Sequence, residues 1–554
     1  MRRFFLLLLV AGLTACGGGG GGGGSSTATP EPAPEPTEPS GPEPTSLTLV
    51  DAVPASISYT DPQLSDLSFA HLGHSDLAIT LDGDCNSFSG VTLRRQLFDL
   101  SEDSFDELLD HRATCNLEDN TTYQLTADGT RSNDAAFRAE HTVNTTSAVA
   151  GNLVVQNSLD MPRSSVDDLF FGYMVGALID ELELPGAVES LILATLFEIA
   201  GANWDNLVDP DALYDVRSER ISYSSTTPDG SPTSEVTGLV AYPVSSSSAF
   251  NARDKVIVLM HATGSTPSEQ DPADAWFILA NQFASRGYLV IAADNFGRGG
   301  TSSGAETYLL ANRTARNTHH LVSAVLEDSN YDDIYNGNAV TIIGYSQGGH
   351  SAMAYYQHLA SHQHNLEVRE VYAGGAPHDL YQTFRGVLEF LDGSCNDNDY
   401  CRYVDDETTI PFATDRILPG ITAYTDSGFE LSELTDGETL NADLVAGFLA
   451  NDPAYDNLKV ILQLNSFTNL VSASDFTDTS SLVHLYHSEY DRLVPHANTA
   501  ALANVLQDSV NLDFHENRCN SSGYETIFNL TDKVGVLHTL CGLSVLDDAM
   551  EDLK

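Results

Sequence analysis

Lysine is nearly missing from this chain: it stands only at Lys255, Lys459, Lys533 and Lys554. With 25 Lys plus Arg against 78 Asp plus Glu, the formal net charge is −53 at pH 7. Nucleic acids are held through Lys and Arg that displace counterions from phosphates, so this balance excludes nucleic-acid binding. Spread over a surface, the same charge keeps a protein dissolved in salt that shortens the Debye length to roughly 3 Å at 1 M. Long apolar runs are missing too. The stretch Phe4 to Leu13 is too short to cross a bilayer, and acidic residues interrupt the apolar helical stretches between 160 and 207. At 554 residues and 42% hydrophobic content, the chain can still bury a core and hold more than one domain.

Seven cysteines occur. The first closes the segment "MRRFFLLLLVAGLTAC", two arginines, a short apolar run and small residues, which reads as an export signal over residues 1–15. Leu13-Thr14-Ala15-Cys16 resembles the lipobox of bacterial lipoproteins, which implies lipidation at Cys16 and placement at the outer membrane or cell surface. Residues 16–46, a glycine run followed by "TPEPAPEPTEPSGPEPT", read as a tether. Its proline-acidic part spans on the order of 50 Å at about 3.1 Å per residue in polyproline geometry. Six cysteines then remain for an oxidising compartment. Taking nearest neighbours in each segment pairs Cys85 with Cys115, Cys395 with Cys401 and Cys519 with Cys541.

Residues 47–145 alternate apolar and polar positions in short runs such as "DLAITLDG" and "AAFRAEHTV", the pattern of a small accessory β-sandwich. Its turn "LDGDCNS" lacks the ligand spacing of a calcium loop. Residues 146–210 hold two helical stretches and read as a helical connector or cap. From 211 to 554, apolar strand-like runs alternate with helical ones, the pattern of an α/β domain with a mostly parallel sheet. Eight strand candidates are "RISYSS", "VTGLVAYP", "KVIVLMH", "YLVIAAD", "AVTIIGY", "EVREVYAGG", "SLVHLYHS" and "SVNLDFHE".

Ser346 follows the fifth of these in "TIIGYSQGGH" and precedes a helical stretch. A nucleophile on so sharp a strand-to-helix turn needs small residues two positions to either side, and Gly344 and Gly348 fill those places. Here the chain, over roughly residues 215 to 554, resembles the α/β-hydrolase superfamily and within it the secreted lipases and esterases. The superfamily's chain order, Ser then acid then His, implies the other partners. "EYDRLVP" resembles the family's D-x-x-V-P turn and makes Asp491 the acid, with Glu489 the fallback. Of the later histidines His496, His515 and His538, the last lies in "KVGVLHTLCG", read as a loop before a terminal helix, and is the implied base. His350, just past the double glycine, packs near the elbow in this reading. The oxyanion donors are the backbone N–H of Gln347 and, from His261-Ala262-Thr263-Gly264, which resembles H-G-x-G, that of Thr263 or Ala262. Asp294, in "AADNFGRGG", reads as structural.

A cap insertion is expected over 381–478, shaping an ester pocket. The implied activity is a serine carboxylic ester hydrolase that needs no cofactor and no metal, acting on small esters, lipids or polyesters. Two readings stand beside it. One is a prolyl-oligopeptidase-like serine peptidase, whose elbow and acid turn are similar but which carries a β-propeller. The other is a non-catalytic surface-binding lipoprotein with the sandwich as its working part.

Overall fold

The computed structural model describes strand segments between residues 49 and 145, and then the stretches 153–182, 212–228, 231–244, 253–361, 366–396, 408–471, 480–530 and 534–553, with a few residues around 398–404. The export segment, Cys16, the tether, the second connector stretch "GAVESLILATLFEIAGANW", the turn "LDGDCNS" and the Cys85 to Cys115 pairing lie outside the described residues.

The main sheet has nine strands: β1 Val154–Met161, β2 Val216–Thr226, β3 Pro232–Pro243, β4 Arg253–Met260, β5 Leu289–Ala293, β6 Tyr335–Tyr345, β7 Glu367–Gly374, β8 Leu482–Tyr486 and β9 Asn511–Phe514. Their order across the sheet is 9-8-7-6-4-5-3-2-1. Pairing is parallel from β5 through β4, β6, β7 and β8 to β9, and antiparallel among β5, β3, β2 and β1. This is the α/β-hydrolase fold expected from the sequence, with one strand more than the eight candidates. The ninth, β1, opens the stretch read as a helical connector. Its outer residues are solvent-exposed, so it lacks the apolar run that betrays a strand inside a sheet.

The central strands read "VIVLM", "LVIAA" and "AVTIIGY" because helices cover both faces and leave no side chain in water. One apolar layer joins the sheet to α1 (Arg163–Leu182), α2 (Ala275–Ala284) and the terminal helix. The other joins it to α3 (Ala311–Glu327) and α4 (Gln347–Ser361). A third cluster fills the insertion, built on α5 (Leu380–Asp392), helical turns over 409–424, α6 (Ala442–Leu449) and α7 (Asp456–Leu464). Helices α8 (Ala497–Leu506) and α9 (Ser522–Leu530) follow β8 and β9, and the terminal helix α10 (Gly535–Asp552) closes the chain.

Among the described residues, 49–145 form two four-stranded sheets. They dock on the hydrolase domain. Leu97 and Leu108 enter the apolar cluster of the insertion, and Gln96 N–H and Val471 N–H donate to the carbonyls of Asn469 and Arg94 at 2.8 Å each. Arg95, 1% exposed, reaches Ser466 O, Asn469 Oδ1 and Gln357 Oε1 of α4. No helix of the described residues is long and apolar enough to cross a membrane.

Candidate active site

Sheet register brings three loops to one end. Met260 of β4 pairs with Gly344 of β6, Gly344 with Ala373 of β7, and Ala373 with Leu485 of β8. The loops that leave β4, β6 and β8 therefore start side by side. They carry His261 to Gly264, Ser346 and Asp491.

Ser346 sits at φ 57°, a left-handed conformation that costs a non-glycine residue free energy and is held only where its surroundings over-determine it. They do so here. Ser346 N–H donates to Gly374 O at 2.9 Å, and its own carbonyl accepts from Gly349 N–H and starts α4. A Cβ on Gly344 would stand 2.0 Å from Gly348 O, and one on Gly348 would stand 2.1 Å from Met260 O. Both positions exclude a side chain, for the reason argued from the motif.

Asp491 and His538, 47 positions apart, meet at 2.7 Å between Oδ2 and Nδ1. The Asp491 carboxylate is fully buried, and its Oδ1 accepts from Leu493 N–H at 2.8 Å and Val494 N–H at 3.0 Å. Burial on its own would raise the pKa of Asp491. The facing His538 and a further hydrogen bond from His487 outweigh that and hold the carboxyl well below the usual range, so it stays charged. His487 Nε2 lies 3.4 Å from the same Oδ2. Glu489 is exposed, its backbone held by Asn520, and the structure does not bring it to His538.

His538 is in the first turns of the terminal helix α10, not in a loop before it. Tyr345 fixes it from below: its hydroxyl donates to His538 O at 2.6 Å, and the two rings lie 4.8 Å apart. The Cys519 to Cys541 disulfide ties the same helix, three residues past His538, to the segment after β9. Cys395 and Cys401 also pair as expected. The other two histidines go elsewhere: His496 lies 5.6 Å from the His487 ring, and His515 pairs with His484.

Ala262 and Thr263 line the same cavity as Ser346 and His538. Asn295 N–H donates to His261 Nε2, so Nδ1 carries the proton and donates to Ala262 O at 3.0 Å; this clamps the loop. Arg298 adds bonds to the carbonyls of Gly264 and Ser265 and to Thr266 Oγ1. Gln347 begins α4 with its side chain buried, donating to Glu306 Oε1 at 2.6 Å. Glu306 also accepts from Asn295 Nδ2, tying the loop after β5 to the elbow. Asp294 is buried and accepts from Thr237, Ser268 Oγ and Ser268 N–H, a structural role as read from the sequence. His350 donates from Nε2 to Asn465 O at 2.8 Å, and burial lowers its pKa to about 4, which keeps it neutral.

Sequence reasoning misses Glu306, Arg298, Tyr345 and His487. Glu306 in "GAETY" and His487 in "LYHSEYD" have no spacing that marks a site, and Arg298 and Tyr345 stand in stretches whose reading goes to Asp294 and Ser346.

The cavity measures about 340 Å³. Its floor carries Ser346 and His538; its walls include Trp276 and Leu279 of α2, Leu543 and Leu546 of α10, and Phe170 and Tyr173 of α1. Among the described residues, Phe412 alone comes from the 381–478 insertion. The pocket wall expected from that insertion is thus built mainly by α10 and α2, with Phe170 and Tyr173 of α1 added from the stretch that precedes the domain.

The architecture is that of the α/β hydrolases. Residues 257–516 match the family model described as alpha/beta hydrolase family. No curated protein matches the chain. Among solved structures, the chain is similar to a protein from Legionella pneumophila, with 16% identity and a TM-score of 0.48 over 72% of this chain and 97% of that one. It is similar to the rice cell wall degrading esterase LipA from Xanthomonas oryzae, with 16% identity and a TM-score of 0.46 over 72% and 96%. It is also similar to Candida antarctica lipase A in its closed state, with 15% identity and a TM-score of 0.36 over 54% and 71%.

Proposed function

We propose that the protein is a carboxylic ester hydrolase that works through an acyl-serine intermediate, with Ser346 as nucleophile, His538 as base and Asp491 as the acid that orients it. The observation that carries the reading is the buried 2.7 Å contact between His538 Nδ1 and Asp491 Oδ2, beside a serine at φ 57° in one apolar cavity. Donation from Nδ1 to a charged carboxylate leaves Nε2 as an acceptor for the serine proton. Ser346 Oγ then attacks the ester carbonyl, and the oxyanion is met by the N–H groups of Gln347 and of Thr263 or Ala262. As the C–O bond breaks, His538 returns the proton to the leaving alcohol. It next takes a proton from water, which attacks the acyl-serine, and passes that proton to Ser346 Oγ as the acyl–oxygen bond breaks and the acid leaves.

The cavity favours an acyl chain over a polar or peptidic group, since its walls are Phe170, Trp276, Leu279, Leu543 and Leu546. The sheets within 49–145 are two four-stranded ones, unlike the propeller that accompanies prolyl-oligopeptidase-type enzymes. The test is turnover of p-nitrophenyl esters of increasing chain length, with a peptide anilide alongside, by the wild type and Ser346→Ala. Ester turnover lost in the variant supports the reading. Anilide cleavage at rates comparable to the esters would replace it with a peptidase.

The α1 wall makes a second prediction. Phe170→Leu enlarges the cavity and moves the chain-length optimum toward longer acyl groups. Each extra methylene accommodated is worth about 0.8 kcal/mol, roughly fourfold in relative kcat/KM. An optimum that does not move would show that the acyl chain runs elsewhere.

A further inference from the structure

The last two strands carry a side-chain cluster that plays no part in the proposed mechanism. His484 of β8 pairs in register with Asp513 of β9, and His515 lies two residues further along the chain, on the same face. One nitrogen or carboxylate oxygen of each of the three lies within 4.8 Å of the others. His484 Nδ1 and His515 Nε2 are 3.0 Å apart, and His515 Nε2 is 3.6 Å from Asp513 Oδ2. Nothing in the sequence pattern marks this, because the two histidines stand 31 residues apart, each inside a strand-like run.

Both rings are held in place. Tyr372 stacks on His484 with centroids 4.3 Å apart and planes 6° from parallel, and Tyr486 stacks on His515 at 4.3 Å and 3°. His515 N–H also donates to Leu485 O, which fixes the backbone that carries its ring. The cluster opens to water on one side, where the His515 side chain is 23% exposed and that of Asp513 is 57% exposed. Asp552, at the end of α10, accepts from the Tyr372 hydroxyl at 2.9 Å and adds negative charge to the surroundings.

A bare pair of imidazole nitrogens at this distance can share one proton. A carboxylate as third neighbour and an open side suit a cation better. Two imidazole nitrogens each about 2.0–2.1 Å from a tetrahedral zinc stand roughly 3.3 Å apart, and a carboxylate oxygen stands at a similar distance from each. The observed separations bracket that value. We propose that His484 Nδ1, His515 Nε2 and an Asp513 carboxylate oxygen bind a zinc-class divalent ion, with water in the remaining positions, and that the ion clamps edge strand β9 to β8. Two imidazoles and one carboxylate select the borderline first-row metals over calcium or magnesium, which take all-oxygen sets. None of the three residues lines the cavity of Ser346, so the ion acts on the sheet edge and not on the ester.

The experiment is a calorimetric titration of chelator-treated full chain with zinc chloride, repeated with His515→Ala and Asp513→Asn. Those side chains are partly exposed and tolerate change, whereas the buried His484 would not. Expected are one zinc ion per wild-type chain and a melting temperature that rises with zinc. Asp513→Asn weakens binding by roughly tenfold or more, and His515→Ala abolishes it. Cobalt gives the visible absorption of a four- or five-coordinate site in the wild type and none in His515→Ala. Zinc binding that is equal in all three proteins would place the ion on other carboxylates and overturn the proposal. So would no zinc binding by the wild type, or tighter binding of calcium.

Discussion

Asp491→Asn is expected to cut ester turnover by about 10⁴-fold while the protein stays folded. The size of the effect follows from which atoms the carboxylate serves. Oδ1 accepts two backbone N–H groups, from Leu493 and Val494, and only an oxygen can keep those bonds. The amide that the substitution introduces would therefore turn its NH₂ toward His538 Nδ1. A donor facing Nδ1 makes that nitrogen the acceptor and moves the ring proton to Nε2. With a proton there, the imidazole cannot take another from Ser346, although the geometry of the site is nearly unchanged. The check is kcat/KM for a p-nitrophenyl ester together with labelling of Ser346 by a fluorophosphonate, both of which should fall together. A loss below tenfold would give the role of acid to another group. Because the carboxyl of Asp491 is held charged well below its ordinary range, the acid limb of the wild-type pH–rate profile does not come from its titration.

The parts of this molecule that are legible in the sequence leave their mark within one short run of residues, through backbone sterics, a local turn or burial along a strand. Gly344 and Gly348 can be read because a Cβ at either would strike backbone. Asp491 can be read through the resemblance of its turn to D-x-x-V-P, and the structure supplies the turn's reason: the carboxylate accepts N–H groups two and three residues on. The parallel strands can be read because both faces are buried. His538 reads as part of a loop because the resemblance implies a base in a loop before a terminal helix, and Gly535 and Gly542 on either side of it do not speak against a loop. Yet Gly542 lies inside α10 and serves an approach to Tyr345, whose ring carbons would stand 3.1 Å from an added Cβ. Glycine that permits close packing and glycine that ends a helix look alike in one dimension. The α1 wall, the His484 cluster and the docking of the accessory strands all join residues from distant stretches. No local period records such contacts.

Arg95→Ala is expected to destabilise the protein by about 3 kcal/mol or more, lowering Tm by several degrees. Arg95 stands on the accessory strand Gly90–Gln96, yet its guanidinium is buried against the hydrolase domain. It donates to Ser466 O, to Asn469 Oδ1 at 3.0 Å and to Gln357 Oε1 at 3.3 Å. Removing it leaves those acceptors in a dry site with weaker partners or none, and each bond to a charged donor is worth about 1.5–3 kcal/mol. Arg95→Lys keeps the charge but not the planar fork, so it should recover only part of the loss. Arg94→Ala, on the exposed face of the same strand, should stay within about 0.5 kcal/mol of wild type. Activity should fall less than stability at low temperature but collapse sooner on heating. Gln357 lies on α4, the helix that Ser346 opens, and Asn465, beside Ser466, accepts from His350 of the same helix. The accessory strands thus brace the helix that Ser346 opens. A melting temperature unchanged in Arg95→Ala would show that they rest on the hydrolase domain without supporting it.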